Sequence, residues 1–162
     1  MANNSSNAGM MPAKELLLTA GLAKDMTDAE INDLLSIAEE RTYARDTLIV
    51  QEDGKSRDLY LLRKGRATVR MALPTDRERE EIVYTMRDGQ AFGELALVDG
   101  CPRSASIKAE DEVTTYRFDF DRLSALLEEK PHIGYLLMRN IAAIISARMR
   151  NTNMLWRNSI IW

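Results

Sequence analysis

The residues with the clearest chemical potential lie in one stretch of this 162-residue chain, residues 92–106, with the sequence FGELALVDGCPRSAS. Gly93 precedes the run Glu94-Leu95-Ala96-Leu97, which is long enough for one helical turn. The first amides of such a turn have no internal partners and carry partial positive charge, which suits a phosphate or a carboxylate. Gly93 lets the anion approach the backbone closely. The stretch therefore predicts an anion-binding turn.

Two charged residues in the same stretch extend this prediction. After the turn of residues 99–102, Arg103 is expected to return its guanidinium to the anion, where a planar fork of donors matches two phosphate oxygens. Glu94 is placed to accept hydrogen bonds from neighbouring hydroxyls, and Ser104 adds a donor. Together these groups describe a site for a ribose phosphate. The alternative is that Arg103 and Glu94 pair with each other at the surface, a contact worth about 0 to 1 kcal/mol. Spacing alone leaves both interpretations open.

The stretch closely resembles the phosphate-binding cassette of cyclic-nucleotide-binding domains, the family of the catabolite activator protein and of the regulatory subunit of cyclic-AMP-dependent kinase. The cassette reads Phe-Gly-Glu-Leu-Ala-Leu, a short spacer, then Pro-Arg-x-Ala-Ser/Thr, and every position is filled here. Residues 47–69 resemble the family's first hairpins, and residues 117–131 resemble its penultimate helix. One departure is Asp53-Gly54, where the family usually has glycine before an acidic residue.

The resemblance implies a role for each cassette residue. Glu94 would bind the ribose 2′-hydroxyl and Arg103 the cyclic phosphate. Backbone or hydroxyl donors would come from Gly93, Leu95, Ala96, Ser104 and Ala105. Many members selective for cyclic GMP have threonine directly after the arginine, whereas Ser104 is similar to the catabolite activator protein. Cyclic AMP is therefore the expected ligand, with cyclic GMP as the alternative.

The purine is expected to be covered by the last helix, as it is in the family. Arg148 follows Ile141 by seven residues and Ile144 by four, which places it on the inward stripe of that helix. An arginine there can stack on the base or meet its edge, the alternative being a solvated arginine beyond the core. Met149 is the alternative apolar cap.

The flanking sequence predicts helices on both sides of a roll, which makes an α+β domain. Residues 1–11 are polar and predict a disordered tail, and residues 12–162 predict a single domain. A first helix is expected from Pro12 to about Leu22. A second is expected from the capping box that begins at Thr27 to about Glu40.

Between residues of about 43 and 118 the apolar residues alternate with period two, and turn signals recur. This pattern predicts an antiparallel, double-stranded, jelly-roll-like β-roll. The charged run 74–81 is expected to form an exposed hairpin tip. Residues 119–162 then predict two C-terminal helices, the first capped by Asp119 and ended near Pro131, and the last beginning at about His132.

Composition narrows the function further. The net charge of −3 gives no general attraction for nucleic acid, and the 12 residues after Arg150 leave no room for a DNA-binding domain, so no direct DNA binding is expected. One cysteine, Cys101, and one histidine, His132, predict neither disulfides nor a Cys/His metal site. We therefore expect a cytoplasmic protein without metal or cofactor. No apolar run approaches the length of a membrane span. The sequence offers no set of nucleophile, base and orienting group, so we do not expect an enzyme.

The apolar tail suggests how a signal would leave the domain. Its large residues are Trp156, Ile160, Ile161 and Trp162, which predict pairing of the last helix in a homodimer. The leading hypothesis is a cytoplasmic cyclic-nucleotide sensor that rearranges its last helix and signals to an unknown downstream protein. The alternative is an interaction domain that keeps the fold but dimerises without nucleotide.

Overall fold

A computed structural model of the protein describes residues 11–160. The helices are α1 (Ala13–Thr19), α2 (Asp28–Ser36), α3 (Glu94–Asp99), α4 (Phe120–Glu129) and α5 (Pro131–Ile160). The strands are β1 (Ala38–Tyr43), β2 (Leu48–Val50), β3 (Leu59–Lys64), β4 (Ala67–Leu73), β5 (Asp76–Met86), β6 (Ala91–Phe92), β7 (Ser106–Ala109) and β8 (Val113–Phe118). Helices thus flank the strands at both ends of the chain, and the predicted α+β class is confirmed.

The strands form two antiparallel sheets of four, in the orders β1-β8-β3-β6 and β2-β7-β4-β5. The predicted β-roll is therefore confirmed. Strand β3 shows where the core lies, because its residues alternate between two apolar clusters. Leu59 and Leu61 pack with the helices, whereas Tyr60 and Leu62 pack inside the roll. Apolar side chains therefore cover both faces of the first sheet. The face inside the roll borders the candidate site.

The second helix is shorter than predicted. Its capping box forms at Thr27, but the helix ends at Ser36 instead of about Glu40, and the roll begins at Ala38 instead of residue 43. Residues 38–43 pair with β8 along their whole length, and Glu39 reaches Arg122 on α4 at 3.0 Å. Strand pairing and this contact outweigh the weak helix preference of the segment.

The first helix also ends early, at Thr19 instead of about Leu22. Gly21 takes a φ of +78°, in the left-handed region, and this conformation ends the helix. Residues 1–10, which hold nearly all of the predicted tail, lie outside the described residues.

The charged run 74–81 is strand rather than loop. Only Pro74 and Thr75 form the turn between β4 and β5, and from Asp76 onward the chain pairs with β4. The side chains of β5 are exposed, as expected, until the buried Met86. This 11-residue strand is the edge of its sheet.

The C-terminal helices follow the prediction closely. Asp119 caps α4, accepting hydrogen bonds from the amides of Asp121 and Arg122 at 3.2 Å. Helix α5 begins at Pro131, one residue before the predicted start, and buries the predicted stripe of Ile133, Leu137 and Ile141. In the part of the chain that the structure describes, no helix is both long and apolar enough to cross a bilayer.

Candidate functional site

Gly93 lies at the centre of the predicted cassette, between β6 and α3. Its φ is +83°, and a Cβ at this position would lie 2.5 Å from Nη1 of Arg103 and 2.6 Å from the carbonyl oxygen of Asp58. A side chain at position 93 would therefore displace Arg103. The glycine is required here by both conformation and space.

Arg103 is buried, with 3% of its surface exposed. Its guanidinium donates to the carbonyl of Asp58 at 2.8 Å, to the carbonyl of Gly93 at 2.9 Å and to the hydroxyl of Ser56 at 3.2 Å. These acceptors are all uncharged, and within residues 11–160 no carboxylate lies at salt-bridge distance from Arg103. Burial accordingly lowers the pKa of the guanidinium, an effect that the nearby Tyr60, Asp58 and Glu94 oppose.

The turn at Asp53-Gly54 holds the backbone of Arg103. The Arg103 amide donates to the Gly54 carbonyl at 2.8 Å, and the Asp53 amide donates to the Arg103 carbonyl at 2.9 Å. Asp53 has a φ of +63°, a conformation that non-glycine residues adopt seldom. The departure from the family pattern thus occurs in a turn that still positions the arginine.

Glu94 pairs with the last helix and not with Arg103. It is 5% exposed, and its Oε1 accepts a hydrogen bond from Nη1 of Arg148. Nη2 of Arg148 donates to the Ala91 carbonyl at 2.6 Å. A buried carboxylate needs such a partner. The alternative prediction of a surface pair between Arg103 and Glu94 is therefore wrong.

A cavity of about 580 Å³ lies between the roll and α5. All seven predicted cassette residues line it: Gly93, Glu94, Leu95, Ala96, Arg103, Ser104 and Ala105. Arg148 lines it as well. Met149 does not, and it is 60% exposed. Consecutive helical residues point about 100° apart, so Met149 does not share the direction of Arg148, and its role as a cap stays a prediction.

Sequence reasoning missed two groups of residues on the cavity wall. On α5 they are Asn151, Thr152 and Leu155. Thr152 and Leu155 follow Arg148 by four and seven residues, so helical spacing would have found them. On β5, Val83 and Tyr84 line the cavity, and Nε2 of Gln90 donates to the Tyr84 hydroxyl at 2.5 Å. Val83 and Tyr84 follow the charged run 74–81. That run predicts an exposed hairpin tip, so the sequence did not indicate that a strand continues into the cavity wall.

Groups for metal or redox chemistry are not assembled in the described residues. Within residues 11–160, no cluster of three or more His, Cys, Asp or Glu side chains is placed to hold a metal ion. Cys101 is a free, exposed thiol, and His132 pairs with Glu30. The buried charged groups that the cavity does offer a ligand are one cation, Arg103, and one carboxylate, Glu94.

A β-roll with a buried arginine in a cavity beside a C-terminal helix is an arrangement suited to a small anion. The profile of the cyclic nucleotide-binding domain matches residues 40–130, more than half of the chain. The chain belongs to this family, as the cassette indicated. The family is one of regulatory binding domains that are not themselves enzymes.

The chain is similar to regulators of several kinds. It is 26% identical to the CRP-like cAMP-activated global transcriptional regulator of Mycobacterium tuberculosis, over 86% of this chain and 59% of that protein. It is 28% identical to a cGMP-dependent protein kinase of Eimeria tenella, over 79% of this chain and 12% of the kinase. A crystal structure of a cyclic nucleotide-binding domain from Methylobacillus flagellatus shares the fold, with a TM-score of 0.77 and 24% identity over 86% of this chain and 77% of that one. The chain thus spans about three-fifths of the mycobacterial regulator and a small part of the kinase.

Proposed function

We propose that the protein is a sensor domain that binds cyclic AMP in the cavity beneath α5. The observation that carries this proposal is the state of Arg103, buried and bonded only to uncharged acceptors. A phosphodiester anion would supply the missing counter-charge. Three of the five guanidinium N–H groups are used by the protein, so two remain for phosphate oxygens.

The ribose would lie against Glu94. Oε1 of Glu94 is bonded to Arg148, and the second carboxylate oxygen would accept the 2′-hydroxyl. The other cassette residues would supply backbone or hydroxyl donors to the sugar phosphate: Gly93, Leu95, Ala96, Ser104 and Ala105. Arg148 would thus act beside the sugar, holding α5 to Glu94, because both ends of its guanidinium are already engaged. Leu155, instead of Met149, would supply the apolar cover of the base, because Leu155 lines the cavity.

Thr152 supports adenine over guanine. Its hydroxyl donates to the Arg148 carbonyl one turn earlier, at 3.1 Å, so toward the cavity it presents lone pairs only. The exocyclic amino group of adenine would donate to this oxygen, whereas the carbonyl of guanine would oppose it with a second acceptor. The proposed preference is therefore for cyclic AMP, which agrees with Ser104 after the arginine.

Binding would produce a signal through α5. Glu94 on the roll and Arg148 on the helix form one contact across the cavity, and a ligand bonded to Glu94 changes the free energy of that contact. A ligand that binds one arrangement of α5 better than another shifts the population toward it. The output would pass to a downstream protein in the cytoplasm. We also propose that residues 11–160 do not contact DNA themselves.

Calorimetry with both nucleotides tests this proposal. Cyclic AMP has about 22 non-hydrogen atoms, and at about −0.3 to −0.4 kcal/mol for each atom the Kd should be close to micromolar. Cyclic GMP should bind more weakly, and Thr152→Val should reduce that difference several-fold. Ser146→Ala is the matched control, since it removes a hydroxyl from the same helix outside the cavity. Absence of heat for both nucleotides at millimolar concentration would reject the proposal.

A second candidate function is dimerisation through α5 without nucleotide. It is supported by three consecutive apolar side chains that are largely exposed: Met154 at 57%, Leu155 at 71% and Trp156 at 70%. Light scattering and thermal unfolding, each measured with and without cyclic AMP, separate the two functions. A dimer with the same thermal stability in both conditions would favour this second candidate, whereas stabilisation by the nucleotide would favour the sensor.

A further inference from the structure

Arg57, in the loop between β2 and β3, is bonded to the far end of the cassette helix. Its Nε donates to the Ala96 carbonyl at 3.1 Å, and its Nη2 donates to the Leu97 carbonyl at 3.2 Å. The Ala96 carbonyl also accepts the Gly100 amide at 3.1 Å. A carbonyl oxygen has two lone pairs, so Arg57 adds a second hydrogen bond to this carbonyl near the end of the helix. One planar side chain thus joins the β2–β3 loop to α3.

The same guanidinium packs on the start of α4. Its central carbon lies 3.9 Å from the centroid of the Phe120 ring, within the range of a favourable cation–π contact. The Phe120 amide donates to Oδ1 of Asp58 at 2.9 Å. Two adjacent residues, Arg57 and Asp58, therefore hold the side chain and the backbone of the first residue of α4.

The loop also touches the buried arginine of the site. The hydroxyl of Ser56 and the carbonyl of Asp58 both accept hydrogen bonds from Arg103. Three consecutive residues thus contact Arg103, α3 and α4. Arg57 does not line the cavity, so its loss removes no direct contact with a ligand.

We propose that Arg57 is a positioning residue that couples α3 to α4, and through α4 to α5. The proposal rests on the proposed function, because it adds a second link, besides the contact of Glu94 with Arg148, between ligand binding at the cassette and the C-terminal helices. A shift of α3 moves the carbonyls of Ala96 and Leu97 and therefore the guanidinium bonded to them. The guanidinium carries Phe120 with it. Since α4 ends at Glu129 and α5 begins at Pro131, rotation of α4 reorients α5.

Hydrogen exchange of the α4 amides, measured with and without saturating cyclic AMP, tests this coupling. In the unmodified protein, we expect cyclic AMP to change exchange in the first turn of α4 by at least about fivefold. Arg57→Ala should reduce that change below about twofold, while the Kd from calorimetry stays within about tenfold. The matched control is Arg63→Ala. Like Arg57, Arg63 lies over an aromatic ring, that of Tyr116, but its ring partner and its ion-pair partner Glu40 both lie outside α3 and α4.

Phe120→Leu removes the aromatic ring from the contact between Arg57 and Phe120. It should reproduce the loss, and the double variant should lose no more than either single one, because both changes break one link. It also keeps the test decisive if Arg57→Ala does not fold. An unchanged exchange response in both single variants would overturn the coupling role, and so would an equal loss of response in Arg63→Ala. Failure of the unmodified protein to bind cyclic AMP would instead reject the proposed function.

Discussion

The two buried charged residues of the cavity, Arg103 and Glu94, have partners in different parts of the molecule. Arg103 takes all its partners from the roll and its loops, two carbonyls and one hydroxyl. Glu94 takes its charged partner, Arg148, from α5. The proposed phosphate side of the cavity is therefore organised within the roll, whereas the proposed ribose side depends on where the last helix lies. Under the proposed function, this difference would separate affinity from signalling, because a ligand would be held mainly by one side and sensed by the other.

The contrast has an energetic basis. The acceptors of Arg103 lie in the loop between β2 and β3 and at Gly93, directly before α3, and a shift of Arg103 would leave the carbonyls among them unsatisfied. The Arg148 side chain is 47% exposed, while that of Glu94 is 7% exposed. Separation of this pair hydrates the arginine but leaves the carboxylate buried. In the proposed function, a ribose hydroxyl bonded to Glu94 would offset part of that cost, so a ligand would shift the helix side.

The largest expected effect comes from Arg103→Ala. It removes two charge-assisted hydrogen bonds to phosphate at about 1.5 to 3 kcal/mol each, so the affinity for cyclic AMP should fall at least about a hundredfold. Calorimetry measures the Kd, and circular dichroism checks that the fold is retained. Arg103→Lys keeps the charge but not the fork, so it should bind better than the alanine variant and worse than arginine. Unchanged affinity in the alanine variant would show that phosphate is held elsewhere.

A second, smaller effect concerns Glu94 and the ribose. Removal of the 2′-hydroxyl from the ligand should weaken binding to the unmodified protein about tenfold or more, the value of one hydrogen bond to a charged acceptor. In Glu94→Ala the two ligands should bind almost equally, because the acceptor is already gone. This comparison, made by calorimetry, isolates one contact from the rest of the cavity. An equal tenfold preference in the variant would assign the hydroxyl to another residue and remove the link between ribose and α5.

The cassette side of the cavity was also the part whose place in the structure the sequence predicted. The seven cassette residues lie close together along the chain, so a local pattern contains them all, and all line the cavity. The helix side was predicted poorly for a physical reason. Arg148 lies 54 positions away from Glu94, and Thr152 and Leu155 lie farther still. Their place depends on how α5 crosses the roll. Helical spacing identified Arg148. The predicted apolar cap, however, was the adjacent Met149, whereas Thr152 and Leu155 are the residues that line the cavity with Arg148.

The same distinction between local and distant information explains the errors in the fold. The capping box at Thr27, the cap at Asp119 and the start of α5 are set by residues within one turn, and each was placed within a residue or two. The end of α2 depends instead on pairing with β8, about 80 residues later. Local helix preference cannot register that partner. The strand β5 was concealed in the same way, because its charges are typical of a loop and its pairing with β4 is visible only in three dimensions.

The smallest effect concerns Glu30, which joins α2 to the start of α5. Its carboxylate accepts hydrogen bonds from the amide and the hydroxyl of Thr27 at 2.8 and 2.9 Å, and it pairs with His132. The bond with His132, followed by those with Thr27, lowers the pKa of Glu30 from 4.5 to about 2. A carboxyl group whose pKa is lower in the folded state stabilises the fold above its unfolded pKa. That contribution is lost as the pH falls from about 4.5 toward 2.

Glu30→Gln should therefore lower the Tm by about 1 to 3 °C at neutral pH. The difference from the unmodified protein should shrink below pH 4.5 and vanish near pH 2. Scanning calorimetry at several pH values measures it, with Glu128→Gln as control, because Glu128 makes no ion pair within residues 11–160. Glu30 lies outside the cavity wall, so the Kd for cyclic AMP should stay the same. A weaker Kd in this variant would mean that the position of α5 also controls affinity, and the division between a binding side and a sensing side would then fail.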